Sequence, residues 1–185
     1  MDRALVEAAR SGDEAAFASI VVGSADRLFV VAHRILRDVG RAEDAVQQTL
    51  VTAWRELPSL REIDRFEAWI HRILVHACYA EAKRAKQWST NVRVLPVDGP
   101  ATPDQTVAVA TRDALERGFR RLPPDQAATF VLHHHLGWPL GEIADTLGIP
   151  LSTAKSRLRS ATSTLRAALE ADARTPRPVS QERMA

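Results

Sequence analysis

The sequence contains 185 residues, 45% of them hydrophobic and 26% charged, and carries a formal net charge of +2. That balance excludes a disordered or low-complexity chain, and the lack of an apolar run near 18 residues speaks against a membrane span. The lone cysteine, Cys78, excludes an intrachain disulfide, and the opening "MDRALVEAARSGDEAAF" lacks the basic start and apolar core of a secretory signal; both fit a protein of the reducing cytoplasm.

Taken in order, almost every segment reads as helix. From Asp13 to about Leu36, the residues Phe17, Ile20, Val21, Leu28, Val31 and Ile35 share one stripe, and Gly40 is expected to end this helix. A second helix runs from Ala42 to Leu57, with Ala42, Val46, Thr49, Leu50, Ala53 and Leu57 at steps of three and four, and Pro58 stops it. The polar loop "PSLREIDR" leads into a third helix reaching about Gln87, whose apolar positions are Phe66, Trp69, Ile70, Ile73, Leu74 and Ala77.

Residues 89–106, "STNVRVLPVDGPATPDQT", hold three prolines and no helical period, and read as a mobile linker. Helical patterning resumes near Val107, is punctuated by Pro123 and Pro124, and continues to about Ala171; the tail 172–185 reads as disordered. The expected fold class is therefore all-α. Two small helical domains, 1–88 and 107–171, are joined by a flexible linker at 89–106.

The clearest motif lies in the second domain. "LGEIADTLGIPLSTAKSRLRSA" has the pattern of a helix-turn-helix: Ile143, Ala144 and Leu147 form a short apolar face, and Gly148 supplies the left-handed turn residue. Ile149 plugs the corner and Pro150 bars continuation of the first helix. Leu151, Ala154, Leu158, Ala161 and Leu165 then form a stripe directed at the core. The opposite side carries Ser152, Thr153, Lys155, Ser156 and Arg159, hydroxyls at the helix start and cations beyond. Such a helix suits the major groove, where its start holds phosphate and its cations reach bases.

Charge supports the same reading. Net charge is 0 over 1–87, −1 over 88–110, +3 over 111–168 and 0 over 169–185, with positive charge gathered at 72–93 and 151–166. Two local patches in a nearly neutral chain point to two contacts with a polyanion, although solvated helix faces also account for either patch alone.

Other features carry less. "HHH" at 133–135 does not converge on a metal, because neighbouring helix positions point about 100° apart. His71 and Cys78 align but stand two turns, about 10 Å, apart, and Cys78 falls on an apolar side as a core residue. Trp54 and Trp69 also occupy apolar positions, and Trp88 ends the basic helix either as a base-stacking ring or as a core cap. No phosphate-cradling glycine loop, Ser/His/Asp order or paired-carboxylate motif is visible, so no enzyme activity, metal or cofactor is expected.

Three stretches together resemble the extracytoplasmic-function (group IV) sigma factors of bacterial RNA polymerase, in the sigma-70 family. "AEDAVQQTLVTAWREL" (42–57) is similar to the family's polymerase-binding helix, "FEAWIHRILVHACYAEAKRAK" (66–86) to the helix that follows, and "RRLPPDQAATFVLHHHLGWPLGEIADTLGIPLSTAKSRLRSA" (120–161) to the domain-four pattern. The resemblance implies a transcription initiation factor that binds core RNA polymerase, recognises −10 and −35 promoter elements and promotes melting. It implies core polymerase contact near Asp44, Gln47, Gln48 and Trp54. The single-stranded −10 element would meet the loop 58–65 and the exposed face of 66–87, through Arg65, Arg72, His76, Tyr79, Lys83 and Lys86. Duplex −35 DNA would meet Ser152, Thr153, Lys155, Ser156 and Arg159. An anti-sigma factor is among the implied partners; direct membrane insertion is not.

The chain departs from the family pattern at Gln48 (usually glutamate), His76 (commonly asparagine), Ala80 (commonly aspartate) and Ser152 (usually glycine), so the promoter sequence is not carried over. Two rivals stand beside this reading: an autonomous helix-turn-helix regulator, and a helical protein-interaction module with incidental DNA contact.

Overall fold

The computed structural model describes residues 2–91 and 107–174; residues 92–106 of the expected linker, the tail beyond 174 and the side chain of Trp88 lie outside the described residues. The described residues form eight α-helices and no strand: α1 (Arg3–Arg10), α2 (Glu14–Leu36), α3 (Val39–Glu56), α4 (Phe66–Asn91), α5 (Val107–Arg120), α6 (Pro124–His134), α7 (Leu140–Leu147) and α8 (Leu151–Arg174), with short 3-10 turns at Leu57–Ser59 and Ile63–Arg65.

Aspartates start the first three helices. The carboxylates of Asp2, Asp13 and Asp38 accept from the backbone N–H of Ala4, Ala16 and Arg41, satisfying donors that the helix itself leaves unpaired. In the C-terminal half, α6 and α7 start at prolines, without a side-chain cap. Pro124 sits in the first turn of α6 and Pro139 precedes α7, where a fixed φ suits the helix start.

Two boundaries differ from expectation. Gly40 lies inside α3, and α2 ends instead at Arg37, which takes φ 55° and donates its N–H to the His33 carbonyl. Asp38 then caps α3 at once, so the break needs no glycine. The helix α1, which periodicity alone did not separate, buries Val6 and Ala9, while Arg3 pairs with Asp64 at 2.8 Å and Arg10 donates to the Leu60 carbonyl. The helix therefore braces the loop between α3 and α4.

α2 packs on α1, α3 and α4, and α3 packs on α4. Two buried hydroxyls of this unit are satisfied within their own helices: Ser24 donates to the Ile20 carbonyl and Thr49 to that of Ala45, each at 2.6 Å. In the C-terminal unit α8 packs against α5, α6 and α7. A Cβ at Gly118 of α5 would stand 3.0 Å from atoms of Leu165 and Ala168, so the small residue lets α5 and α8 approach closely.

The two units share one core. α6 lies on α2 and α4, α7 touches α4, and Leu122, Ala127, Ala128, Val131 and Leu132 join the apolar cluster that holds Leu28, Val31, Ile35, Leu74 and Cys78. Arg37 pairs with Glu116 of α5 at 2.6 Å and lies 4.5 Å over the Phe119 ring. α2 also accounts for one difference from the sequence reading. By length and composition it could span a membrane, with a mean hydropathy of 1.6 over 18 residues, but its Ile20, Leu28, Val31 and Ile35 are taken up by packing.

Candidate nucleic-acid interface

The turn between α7 and α8 is built as the motif requires. Gly148 closes α7 at φ 64°, Ile149 donates its N–H to the Ala144 carbonyl at 3.0 Å, and Ile143, Ala144 and Leu147 are buried. α8 buries Ala154, Ala161, Leu165 and Ala168. Leu151, expected on the core stripe, is instead 44% exposed, so the first residue of α8 stays outside the core that Ala154 enters.

The start of α8 presents the expected polar face. Ser152, Lys155, Ser156 and Arg159 are exposed, Thr153 is half-buried, and the first turn contains no acid. Ser156 donates its hydroxyl to the Thr153 carbonyl at 2.9 Å, so that group is already used by the helix. Arg157, one residue from the outward face, turns inward and pairs with Asp125 at 2.9 Å. Arg166, which sequence reasoning left out, lines a shallow crevice with Lys155, Leu158 and Arg159. Helical spacing from Arg159 by seven residues was the signal that could have found it.

α4 carries the second cationic face. Arg72, His76, Lys83 and Lys86 are exposed along it, and Arg65 stands on the preceding 3-10 turn, 3.9 Å from Glu62. Arg72 and His76 border a crevice that also includes Gln48, Thr52, Glu56 and Arg84, so α3 and α4 meet edge to edge there. Arg84 is paired with the buried Glu81. Arg61, also absent from the sequence-derived set, lines a cleft with Arg65 and Arg72 opposite Asp145 and Thr146 of α7.

Tyr79 behaves differently. It packs half-buried against the shared core, and its hydroxyl is buried without a hydrogen-bond partner. Burial pushes the pKa of that hydroxyl up to about 12, with the charge of Arg157 lowering it and that of Asp125 raising it, so the α6–α8 ion pair lies within electrostatic reach of the ring.

On α3, Asp44, Gln47, Gln48 and Trp54 are all exposed to some degree, and Val51 joins the same face at 41% exposure. Gln48 donates its amide to the Thr52 hydroxyl at 3.1 Å. Trp54 is 38% exposed and tilts against Phe17, with ring centroids 4.8 Å apart, so it serves both packing and surface. Val51 was missed because an apolar residue in a periodic helix reads as core.

The Sigma-70 region 2 family model matches residues 21–88, and the model described as Sigma-70, region 4 matches residues 112–165. An extracytoplasmic-function RNA polymerase sigma factor of Mycobacterium tuberculosis, SigM, is 34% identical over 166 residues, 84% of this chain and 78% of its own. This chain belongs to the extracytoplasmic-function sigma factors of the sigma-70 family. As such it is an initiation factor that recognises promoters for RNA polymerase. Solved structures similar to it include two complexes. CnrH in complex with the cytosolic domain of CnrY is 25% identical with a TM-score of 0.64, covering 92% of this chain and 98% of that one. Sigma factor RpoE in complex with the anti-sigma factor NepR from Bartonella quintana is 26% identical with a TM-score of 0.63, covering 84% and 98%.

The three consecutive histidines of this sigma factor have separate local surroundings. His133 bonds the Trp138 carbonyl through Nδ1 at 2.8 Å, His134 tilts against Phe130, and the charge of Arg34 reaches His135. Among the described residues no three His, Cys, Asp or Glu side chains gather as a metal site. Cys78 is buried, and burial, with Glu81 adding to it, pushes its thiol up to about 12, which disfavours the reactive thiolate.

Proposed function

We propose that the labour of this initiation factor divides between a unit at 1–88 and a unit at 107–171. The exposed α3 face of Asp44, Gln47, Gln48 and Trp54 docks on core RNA polymerase, with Val51 as its apolar centre. α8 enters the major groove of the −35 element through Ser152, Thr153, Lys155, Ser156 and Arg159. The loop before α4, with Arg65, and the α4 residues Arg72, His76, Tyr79, Lys83 and Lys86 hold the non-template strand of the −10 element. Opening each base-pair step costs about 1.4 kcal/mol of stacking, and a base stacked on a protein ring returns about 1–3 kcal/mol. Capture of the unpaired strand therefore offsets melting, while the chemistry stays with the polymerase and the protein works in the cytoplasm.

The observation that carries this reading is the acid-free, exposed start of α8 behind the left-handed turn at Gly148. The solved relatives bound to CnrY and to NepR support an anti-sigma partner for this chain also. The deciding experiment is transcription by purified core polymerase on supercoiled genomic promoters, with and without the protein. New start sites are expected. Their absence, with tight footprinting of a palindrome by the protein alone, would show an autonomous regulator instead.

A further inference from the structure

Where α4 meets the C-terminal unit, two polar atoms are buried without a hydrogen-bond partner: Nε2 of His71 and the hydroxyl of Tyr79. Both lie on the stripe of α4 that also contains Val75 and Cys78, each 0% exposed. His71 is held from its own helix. Its Nδ1 lies 2.8 Å from the Glu67 carbonyl, which only accepts, so Nδ1 carries the proton and Nε2 is the bare acceptor. The C-terminal unit covers that ring with Trp138, edge-on at 5.3 Å. Trp138 is itself fixed by its N–H to the Leu132 carbonyl and by His133 on its own carbonyl.

A permanent core pairs its buried polar groups. Two orphans on one stripe, both under the same covering unit, mark a surface that is also used uncovered, where water supplies the missing partners. We propose that the contact between the two units is a releasable latch gated by the charge of His71, docked while that ring is neutral and released when Nε2 takes a proton. Release uncovers Tyr79, which the docked form withholds; the value of this for −10 capture rests on the function proposed above, but the latch itself does not.

The charged groups facing His71 are Glu67 on α4, 4.0 Å away, and Arg27 from α2, which reaches Glu67 at 3.8 Å. From the C-terminal unit comes the neutral Trp138, with Asp145 of α7 in the adjoining cleft beside Trp69 and Arg72. Desolvation dominates and lowers the proton affinity of the docked ring, and Arg27 adds to it, while Glu67 and its carbonyl act in the opposite sense. The docked form therefore binds fewer protons than the released form. Docking is at full strength above the ordinary histidine range near about pH 6.5 and is lost as pH falls through the lower docked value. The Arg37–Glu116 pair holds the far edge of the same contact.

The test uses the full chain with dyes on cysteines introduced at Ser19 and Ser163, both exposed and one in each unit. Energy transfer is followed from pH 8 to pH 5 together with far-UV circular dichroism. A single high-transfer population is expected at pH 8. A low-transfer population should grow below about pH 6.5, by up to tenfold in ratio per pH unit, with the helical signal unchanged. His71→Phe and, as a second uncharged variant, His71→Gln should stay in high transfer across the range, and Trp138→Ala should raise the low-transfer population already at pH 8. A wild-type distribution that ignores pH overturns the latch. So does a pH response retained by the His71 variants, which would assign the gate elsewhere, or low transfer that appears only with loss of helix. Failure of the promoter assay leaves these readouts untouched.

Discussion

The basic helices α4 and α8 look alike on a charge count but differ in what the fold does with them. α8 shows its Lys155 and Arg159 to solvent near its acid-free start, and folds Arg157 back onto Asp125. α4 exposes Arg72, His76 and Lys83, yet its Tyr79 lies against the α6–α8 pair and its Arg84 is tied to the buried Glu81. The proposed duplex-reading residues of α8 are thus largely exposed in the folded chain, whereas one ring of the proposed strand-capturing surface is covered. A basic helix becomes a binding surface only where its neighbours leave it bare.

The largest expected effect tests the shared core that does the covering. Leu132 of α6 is 0% exposed, and Leu132→Ala should destabilise the protein by about 2–5 kcal/mol. Urea denaturation followed by tryptophan fluorescence should show the single wild-type transition splitting in two as the units lose their common core. Lys83→Glu sharpens the contrast from the α4 side. It should weaken open-complex formation, and more steeply at low salt, while leaving duplex −35 binding unchanged; unaltered permanganate reactivity in the −10 region would refute the α4 assignment.

On α8, Arg159→Ala should cost about 1–3 kcal/mol on the correct −35 sequence and less on others if the side chain reads a base. An equal loss on all sequences makes it a phosphate contact, with the salt slope reduced by about 1. The smallest effect separates neighbours on the same helix. Arg157→Ala breaks a half-buried pair worth at most about 1 kcal/mol, so it should lower the denaturation midpoint slightly and change −35 affinity less than Arg159→Ala does.

Local punctuation made the C-terminal motif legible. Gly148 and Pro150 constrain their own backbone whatever surrounds them, and the buried Ile143, Ala144, Ala154, Ala161 and Leu165 follow a period that one helix imposes. The α3 and α4 stripes were readable for the same reason. Gly40 misled because glycine is only one way to break a helix: Arg37 takes the left-handed position and Asp38 restarts the chain. Leu151 misled because periodicity gives direction but not depth: it stays 44% exposed at the end of a stripe whose next member, Ala154, is fully buried.

By itself, then, the sequence determined the helices, their apolar faces, the turn geometry and the two clusters of positive charge, all properties set within a few residues. The tertiary structure alone decided which of those cations point outward, since Arg157 and Arg159 are separated by rotation about one helix and by the presence of Asp125 on another. It also decided that α6 would lie on α2 and α4. An apolar stripe states that a partner is needed but not which one, because hydrophobic burial is nondirectional. The choice of partner, and with it the covering of His71 and Tyr79, is made only when all the helices are packed together.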